Sequence, residues 1–188
     1  MIFFFNIDKL LGKGKTFVFG LNEITLKKNN FISRVPYIGR EFEVSFEIFP
    51  TWFNGGWHSV LHFTKSARNA AIRGDRNPAI WFTRGNAALN QHKMLVCSDI
   101  NGNKNSCYTT RNIIKAHKWT SIKISQIKAF GGYYFGITVN GRRIYTVRND
   151  RAMSFNNVYV YAANPWYTNQ QGQIKNLIVK SGKFASLI

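Results

Sequence analysis

The side chains best suited to capturing a ligand are arginines and aromatic rings that fall in the same segments. Arg68, Arg73 and Arg76 lie in a Gly- and Asn-containing stretch from Lys65 to Asn77, and Arg84 follows soon after Trp81. A guanidinium donates two parallel hydrogen bonds, which suits sulfate, carboxylate or phosphate. Trp52, Trp57, Trp166 and Tyr167 fall in or beside expected loops, where a ring can stack on a sugar face or a base. A second basic group, Arg142, Arg143, Arg148 and Arg151, surrounds a turn at Asn140-Gly141. Tyr159 and Tyr161 alternate with Val158 and Val160, so they point outward from their strand. If they share a sheet face with Lys123 and Lys175, they make a flat aromatic and cationic platform.

Other chemistries find less support. His58 and His62 share a strand face but sit about 13 Å apart along it, too far to ligate one zinc ion. His92 and His117 lie near turns, and no nucleophile elbow or Ser-His-Asp order stands out. Asp75, Asp99 and Asp150 are single carboxylates in separate loops, whereas calcium wants clustered oxygens, so no metal site is expected. No cofactor is expected either. Arg73-Gly74-Asp75 spells a tripeptide that integrins read, but the preferred reading is a tight turn in which Asp75 pairs with an adjacent arginine. Cys97 and Cys107 flank an Asn101-Gly102 turn signal that would bring the sulfurs together. A disulfide closing that hairpin is the preferred reading, with two half-buried free thiols as the alternative; the disulfide implies an oxidising compartment.

Lys and Arg number 26 against 8 Asp and Glu, a formal net charge of +18 on 188 residues. That far exceeds the magnitude of about 2–8 that keeps a small domain soluble, and it points to polyanionic partners. At 45% hydrophobic and 15% aromatic the chain can bury a core and is not a disordered basic tail. The opening Ile2-Phe3-Phe4-Phe5 lacks a basic n-region and a cleavage site, and no stretch approaches a membrane span of about 18 apolar residues. Either the chain is cytosolic or a leader has been removed; the secreted reading takes the second, with the leader absent from this chain.

The elements that hold these residues are strands throughout. Phe42, Val44, Phe46 and Ile48 alternate with Glu41, Glu43, Ser45 and Glu47, giving one apolar and one acidic face. Further runs occur at 16–19, 23–26, 31–35, 57–64, 79–83, 93–98, 119–127, 133–139, 143–148, 158–162 and 174–180. About ten to thirteen strands, with turns every 8–12 residues, predict an all-β antiparallel sandwich or barrel. Pro36, Pro50, Pro78 and Pro165 fall at strand boundaries or in loops. Residues 16–188 read as one domain, and residues 1–15 as an apolar segment that packs on it or on a partner.

One order of segments is more specific. Lys118-Trp119-Thr120-Ser121-Ile122-Lys123-Ile124 precedes a strand ending in Asn140-Gly141, then Arg143-Ile144-Tyr145, then Phe155 to Ala162, Asn164-Pro165-Trp166-Tyr167 and Gly172 to Leu177. With Gly74 to Phe82, this order resembles concanavalin A-like jelly rolls, the superfamily of laminin G-like domains, lectins, pentraxins, glucanases and polysaccharide lyases, and in particular lectin-like modules of extracellular animal proteins. The resemblance spans residues 16–181 and implies a jelly-roll sandwich. Its glucanases carry Glu-x-Asp-x-x-Glu, which is missing here, leaving Glu41, Glu43 and Glu47 as a stripe that pairs with neighbours such as Lys123. Gln126 to Tyr134 resembles a strand of alginate lyases, but their Arg-x-Glu and Gln-x-His companions are absent.

The sequence thus predicts a secreted, non-catalytic module for an acidic or neutral glycan. The binding residues are Arg68, Arg73, Arg76, Arg84, Trp52, Trp166 and Tyr167, with Lys123, Arg142, Arg143, Tyr159 and Tyr161 as a second face. A uronan lyase and a self-associating matrix or filament subunit are the alternatives. Nucleic acid has charge alone in its favour, since no recognised module accompanies it.

Overall fold

Strict alternation of apolar and polar side chains can be satisfied only by a strand with one face in a core. The computed structural model describes residues 14–52, 56–83, 91–111 and 114–182, and among these no helix occurs. The first sheet runs β1 (Lys15–Gly20), β15 (Gln171–Ser181), β4 (Phe42–Trp52), β10 (Thr120–Ala129), β11 (Gly132–Val139) and β12 (Arg142–Arg148), with β2 (Ile24–Thr25) beside β15. The second runs β3 (Phe31–Ile38), β13 (Phe155–Tyr161), β5 (His58–Thr64), β6 (Ala79–Thr83), β7 (Gln91–Ile100) and β8 (Asn103–Thr109). Two short strands, β9 (Ile114–Lys115) and β14 (Thr168–Asn169), attach to β7 and β5. Pairing is antiparallel except for the β14–β5 contact. The expected N-terminal segment lies almost wholly outside the described residues; β1 begins at its last position, Lys15.

The inner faces meet in one core. Phe42, Val44, Phe46 and Ile48 of β4 join Ile122 and Ile124 of β10 and Phe135 and Ile137 of β11. Leu61 and Phe63 of β5, Ile80 and Phe82 of β6, and Val158 and Val160 of β13 face them from the second sheet. On the outside of the first sheet the acidic stripe is neutralised locally. Glu43 pairs with Lys123 at 3.3 Å and Lys180 at 3.2 Å, and Glu47 with Lys175 at 3.8 Å.

The second sheet breaks the usual pattern of a solvated outer face. Every residue of β5 is buried, from His58 through Thr64. A small second cluster, Ala79, Trp81, Leu95 and Cys97, lies behind the main core with Tyr167 packed on it. Two loops, 65–78 and 162–167, supply the cover.

Three hairpin turns share one backbone shape, with both central residues at positive φ, as the favoured two-residue turn demands. They are Asn101-Gly102 (53° and 84°), Asn140-Gly141 (47° and 77°) and Phe130-Gly131 (47° and 75°). Both asparagines use their side chains locally. Asn101 Oδ1 accepts from Asp150 N at 2.7 Å, and Asn140 Oδ1 from Ser121 N at 3.0 Å. The Asn101-Gly102 turn brings Cys97 opposite Cys107, and the two form a disulfide. Closing a loop of this length stabilises a fold by about 2–3 kcal/mol through the unfolded chain. Replacing both cysteines by alanine is expected to lower the unfolding free energy from urea titration by that much while leaving the β-sheet circular dichroism intact.

Candidate functional site

The outer surface of the second sheet carries a cleft of about 400 Å³, lined by Trp57, Arg76, Trp81, Leu95, Asn105, Cys107 and Tyr167. Its floor is strand: Trp81 of β6 and Leu95 of β7 pair across the ladder, and Cys107 comes from β8. Arg76 and Tyr167 on its walls come from the two covering loops, Trp57 from just before β5 and Asn105 from β8. One imidazole locks both of them in place. His62 is fully buried; its Nε2 donates to the Asp75 carbonyl at 2.6 Å, and its Nδ1 accepts from Asn164 Nδ2 at 3.0 Å.

Each loop then has its own anchor. The Asp75 carboxylate, wholly buried, accepts from Thr64 Oγ1 (3.0 Å), Ser66 N (2.9 Å), Ser66 Oγ (2.6 Å) and Ile72 N (2.9 Å). This fixes the chain immediately before Arg76. Asn164 Oδ1 accepts from Trp166 N at 3.1 Å and Tyr167 N at 3.0 Å, a short side-chain turn that sets both rings. Tyr167 meets Trp81 edge-on, with centroids 5.8 Å apart.

Arg76 is the charged group of the cleft. Its guanidinium carbon lies 4.8 Å from the centre of the Trp81 ring. Nε donates to Asn69 Oδ1 at 2.9 Å and Nη1 donates to Asn105 Oδ1, while Asn69 Nδ2 reaches the Tyr167 hydroxyl at 3.4 Å. Every one of these partners is neutral, and among the described residues no carboxylate pairs with Arg76. Burial holds its pKa below the usual arginine value, with Tyr167 acting in the opposite direction. It stays protonated, because arginine does not give up its proton in proteins. The result is a half-buried, fixed and uncompensated positive charge beside the exposed ring of Trp57.

The predicted residues separate on this map. Arg76 and Tyr167 come together in the cleft. Trp166 is adjacent in the same loop, 5.2 Å from His62 and 6.1 Å from Tyr161 between ring centres, and it is partly exposed. Arg73 turns away: its Nη2 donates to the Gly102 carbonyl at 2.9 Å, at the tip of the β7–β8 hairpin. Arg68 is exposed on the loop. Trp52 belongs to β4 of the first sheet, and Arg84 lies outside the described residues.

The expected platform does not form. Lys123, Lys175, Arg142 and Arg143 are on the first sheet, while Tyr159 and Tyr161 are on the second, because β13 inserts between β3 and β5. Tyr159 instead stacks under Arg34 at 4.2 Å and neighbours Phe31. Asp75 pairs with hydroxyl and backbone donors, not with an adjacent arginine, and its burial removes it from any partner reading Arg73-Gly74-Asp75. Trp81 belongs to the outer cluster and not to the main core, and Trp119 lies under Lys175 on the first sheet's outer surface. Trp81, Asn69, Asn105, Asn164 and His62 were not legible as site residues, since their roles depend on loops folding over a sheet.

A larger groove of about 580 Å³ crosses the outer face of the first sheet, along the row Ser45, Lys123, Thr138 and Arg143 with Glu47 and Asn176. Arg143 lies flat over Gly136, where a Cβ would overlap its guanidinium. Lys123 there is already matched by Glu43.

No family model matches the sequence, and no curated protein matches it. Solved structures do. A native heptameric SAP-like pentraxin from Limulus polyphemus aligns with a TM-score of 0.53 at 12% identity, over 94% of this chain and 74% of that one. The CBM40 of the Ruminococcus gnavus IT-sialidase, bound to α2,6-sialyllactose, gives 0.51 at 8% identity, over 89% and 95%. An alginate lyase from Alteromonas sp. 272 gives 0.50 at 8% identity, over 90% and 88%. The fold is a concanavalin A-like jelly roll. Identities this low speak for the architecture alone, and function must come from the site.

The buried imidazole has a consequence in acid. Burial pushes the His62 pKa down to about 3, against a small upward pull from its bond to the Asp75 carbonyl. An unfolded chain takes up that proton near pH 6.5, so between these values the unfolded state binds more protons. The stabilisation is complete above about pH 6.5 and drains away as pH falls toward 3, amounting to roughly 3–5 kcal/mol. Burial raises the Asp75 carboxyl, but the bonds from Ser66, Ile72 and Thr64 prevail and hold it below the usual 3.8. Its share is present above 3.8 and is lost as pH falls through the folded value. Asp99, raised by burial, works in the opposite sense: its contribution is present below 3.8 and lost as pH rises through the folded value. Urea midpoints are expected to fall steeply between pH 7 and pH 4.5, and a His62→Gln variant should show a visibly flatter slope.

Proposed function

We propose that this protein is a non-catalytic carbohydrate-binding module that holds an acidic sugar residue in the Arg76 cleft. The observation that carries the reading is an arginine fixed by neutral partners and without a counter-ion among the described residues, set against aromatic rings in a concave site. Arg76 needs no reorganisation to bind, because Asn69, Asn105 and Trp81 already hold its orientation. A sugar carboxylate or sulfate would take its remaining N–H donors, and the exposed ring of Trp57 would stack on the apolar face of the pyranose. The CBM40 neighbour, solved with a sialylated glycan, supports this reading by analogy.

The wider charge acts at longer range. A net +18 concentrates polyanions near the surface and raises the encounter rate, an effect that salt screens beyond about 8–10 Å. The Cys97–Cys107 disulfide supports an oxidising, extracytoplasmic setting. The lyase alternative requires a group that moves a proton beside an arginine. The larger groove offers Arg143 but, among its described lining residues, no histidine or tyrosine; the Arg76 cleft does hold the Tyr167 hydroxyl, bonded to the Asn69 that also holds Arg76. The lyase therefore stays the second reading, tested by release of ultraviolet-absorbing unsaturated product from uronans, and the self-associating subunit the third.

Calorimetric titration with uronate-containing oligosaccharides and with neutral ones of equal length checks the proposal. Arg76→Ala is expected to weaken acidic-sugar binding about 10–100-fold, in line with about 1.5–3 kcal/mol for a charge-assisted hydrogen bond. Equal affinity for the neutral set, or an Arg76→Ala variant that binds acidic sugars unchanged, would refute it.

A further inference from the structure

Of the three hairpin turns that share a backbone shape, the β10–β11 turn has the wrong residue for its geometry. Phe130 holds φ 47° where the other two turns use asparagine. A bulky side chain with positive φ is a steric outlier, and phenylalanine has no polar atom with which to bond locally. Nor does packing compensate it. Phe130 is 94% exposed, and its ring contact is edge-on with Tyr134 at 6.5 Å. A whole aromatic ring is therefore held out in water on a two-residue tip.

The surroundings of that tip are cationic. Lys128 and Arg148 flank it on β10 and β12; Lys128 is exposed, and Arg148 lies against Gly132. Arg40 reaches the same end of the sandwich, its carbonyl bonded by Gln126 Nε2 at 2.7 Å, and Lys15 arrives there through its pairing with Ser181. Two carboxylates stand nearby. Asp150 neutralises Arg148 at 2.6 Å, and Glu41 is nearly buried, accepting from Lys128 N at 3.3 Å. Lys15, Arg40 and Lys128 make no ion pair among the described residues. Tyr133 and Tyr134, half-buried, carry the hydroxyl-tipped rings that favour a water–lipid boundary.

We propose that this hairpin end docks on an anionic lipid bilayer, with Phe130 inserted among the acyl chains and Lys128, Arg40 and Lys15 against the headgroups. The combination of an apolar apex with cations that have no ion pair among the described residues decides the occupant. A sulfated glycan would satisfy the cations but could cover only one face of a ring that is 94% exposed, and a second copy of the chain would bring the same positive charges together. An acidic bilayer satisfies both parts, because basic residues near its surface each strengthen attachment about fivefold and an apolar wedge adds to them. The inference stands apart from the Arg76 cleft.

Co-sedimentation with vesicles of phosphatidylcholine, with and without about a third phosphatidylserine, tests it. The protein is expected to bind the anionic vesicles preferentially. Phe130→Asn, which gives the turn the residue its sisters use, should cut that binding about tenfold while leaving the melting temperature equal or higher. Phe130→Trp should retain binding, with emission quenched by brominated acyl chains beyond the quenching of the wild-type tryptophans. Arg76→Ala should leave vesicle binding unchanged. The proposal is overturned if anionic vesicles fail to bind the protein at low salt. It is equally overturned if Phe130→Asn binds as tightly as wild type without added quenching in Phe130→Trp, which would mark simple polyanion adsorption. Phe130-dependent association in the absence of lipid would overturn it in favour of a second copy of the chain.

Discussion

Two loops far apart in the chain meet over the second sheet, and the tie between them is the neutral ring of His62. One nitrogen donates to the carbonyl of Asp75 and the other accepts from the amide of Asn164, an arrangement available only to the uncharged tautomer with its proton on Nε2. Protonating Nδ1 would set two donors against each other at a position closed to solvent. The Asn164 carbonyl oxygen could not turn to help, since it already serves Trp166 and Tyr167. The positions of Arg76 and Tyr167 are thus consequences of one buried hydrogen-bonded pair. The cleft they form is as rigid as that pair.

Burial on both faces of β5 follows from the same tie. A sandwich strand ordinarily gives its outer face to solvent, and the sequence of β4 honours that rule with its glutamates. In β5 the outward positions are His62 and Thr64, which serve as partners for the loops above. The outer cluster of Trp81, Leu95 and Cys97 provides the apolar surface on which those loops settle, and the disulfide to Cys107 secures its far side. What looks like a binding site is built as a second, thinner core, with one arginine left where a hydrophobic lid would otherwise close.

The fold was legible because its signals are local. The alternation of Phe42, Val44, Phe46 and Ile48, the Asn-Gly turns at 101 and 140, and the cysteines spaced around the first of them each specify structure over a few residues. The site was legible only in part, through Arg76 and Tyr167. Sheet membership is a long-range property: β13 lies between β3 and β5, and nothing near Tyr159 or Tyr161 announces that they part company with Lys123. Likewise the period of β6 says that Trp81 alternates with Ile80 and Phe82, but not that loops will cover its side of the sheet. Asn69, Asn105 and Asn164 are ordinary loop residues until the chain returns over β5. The stretch containing Arg73 and Arg76 looked like one basic loop, yet the pinning of Asp75 sends the two arginines in different directions.

Among the described residues both sheets end in edge strands paired on one side, and cations stand along them: Arg142, Arg143 and Arg148 on β12, Lys104 on β8 and Arg34 on β3. Lysine and arginine on an open edge discourage a second molecule from adding its own strand. Positive charge along these edges therefore opposes strand addition between neighbouring molecules. A long acidic polymer that coats these edges would cancel that mutual repulsion while tethering many copies side by side, so crowding on such a polymer would favour condensation into a dense film over independent occupancy.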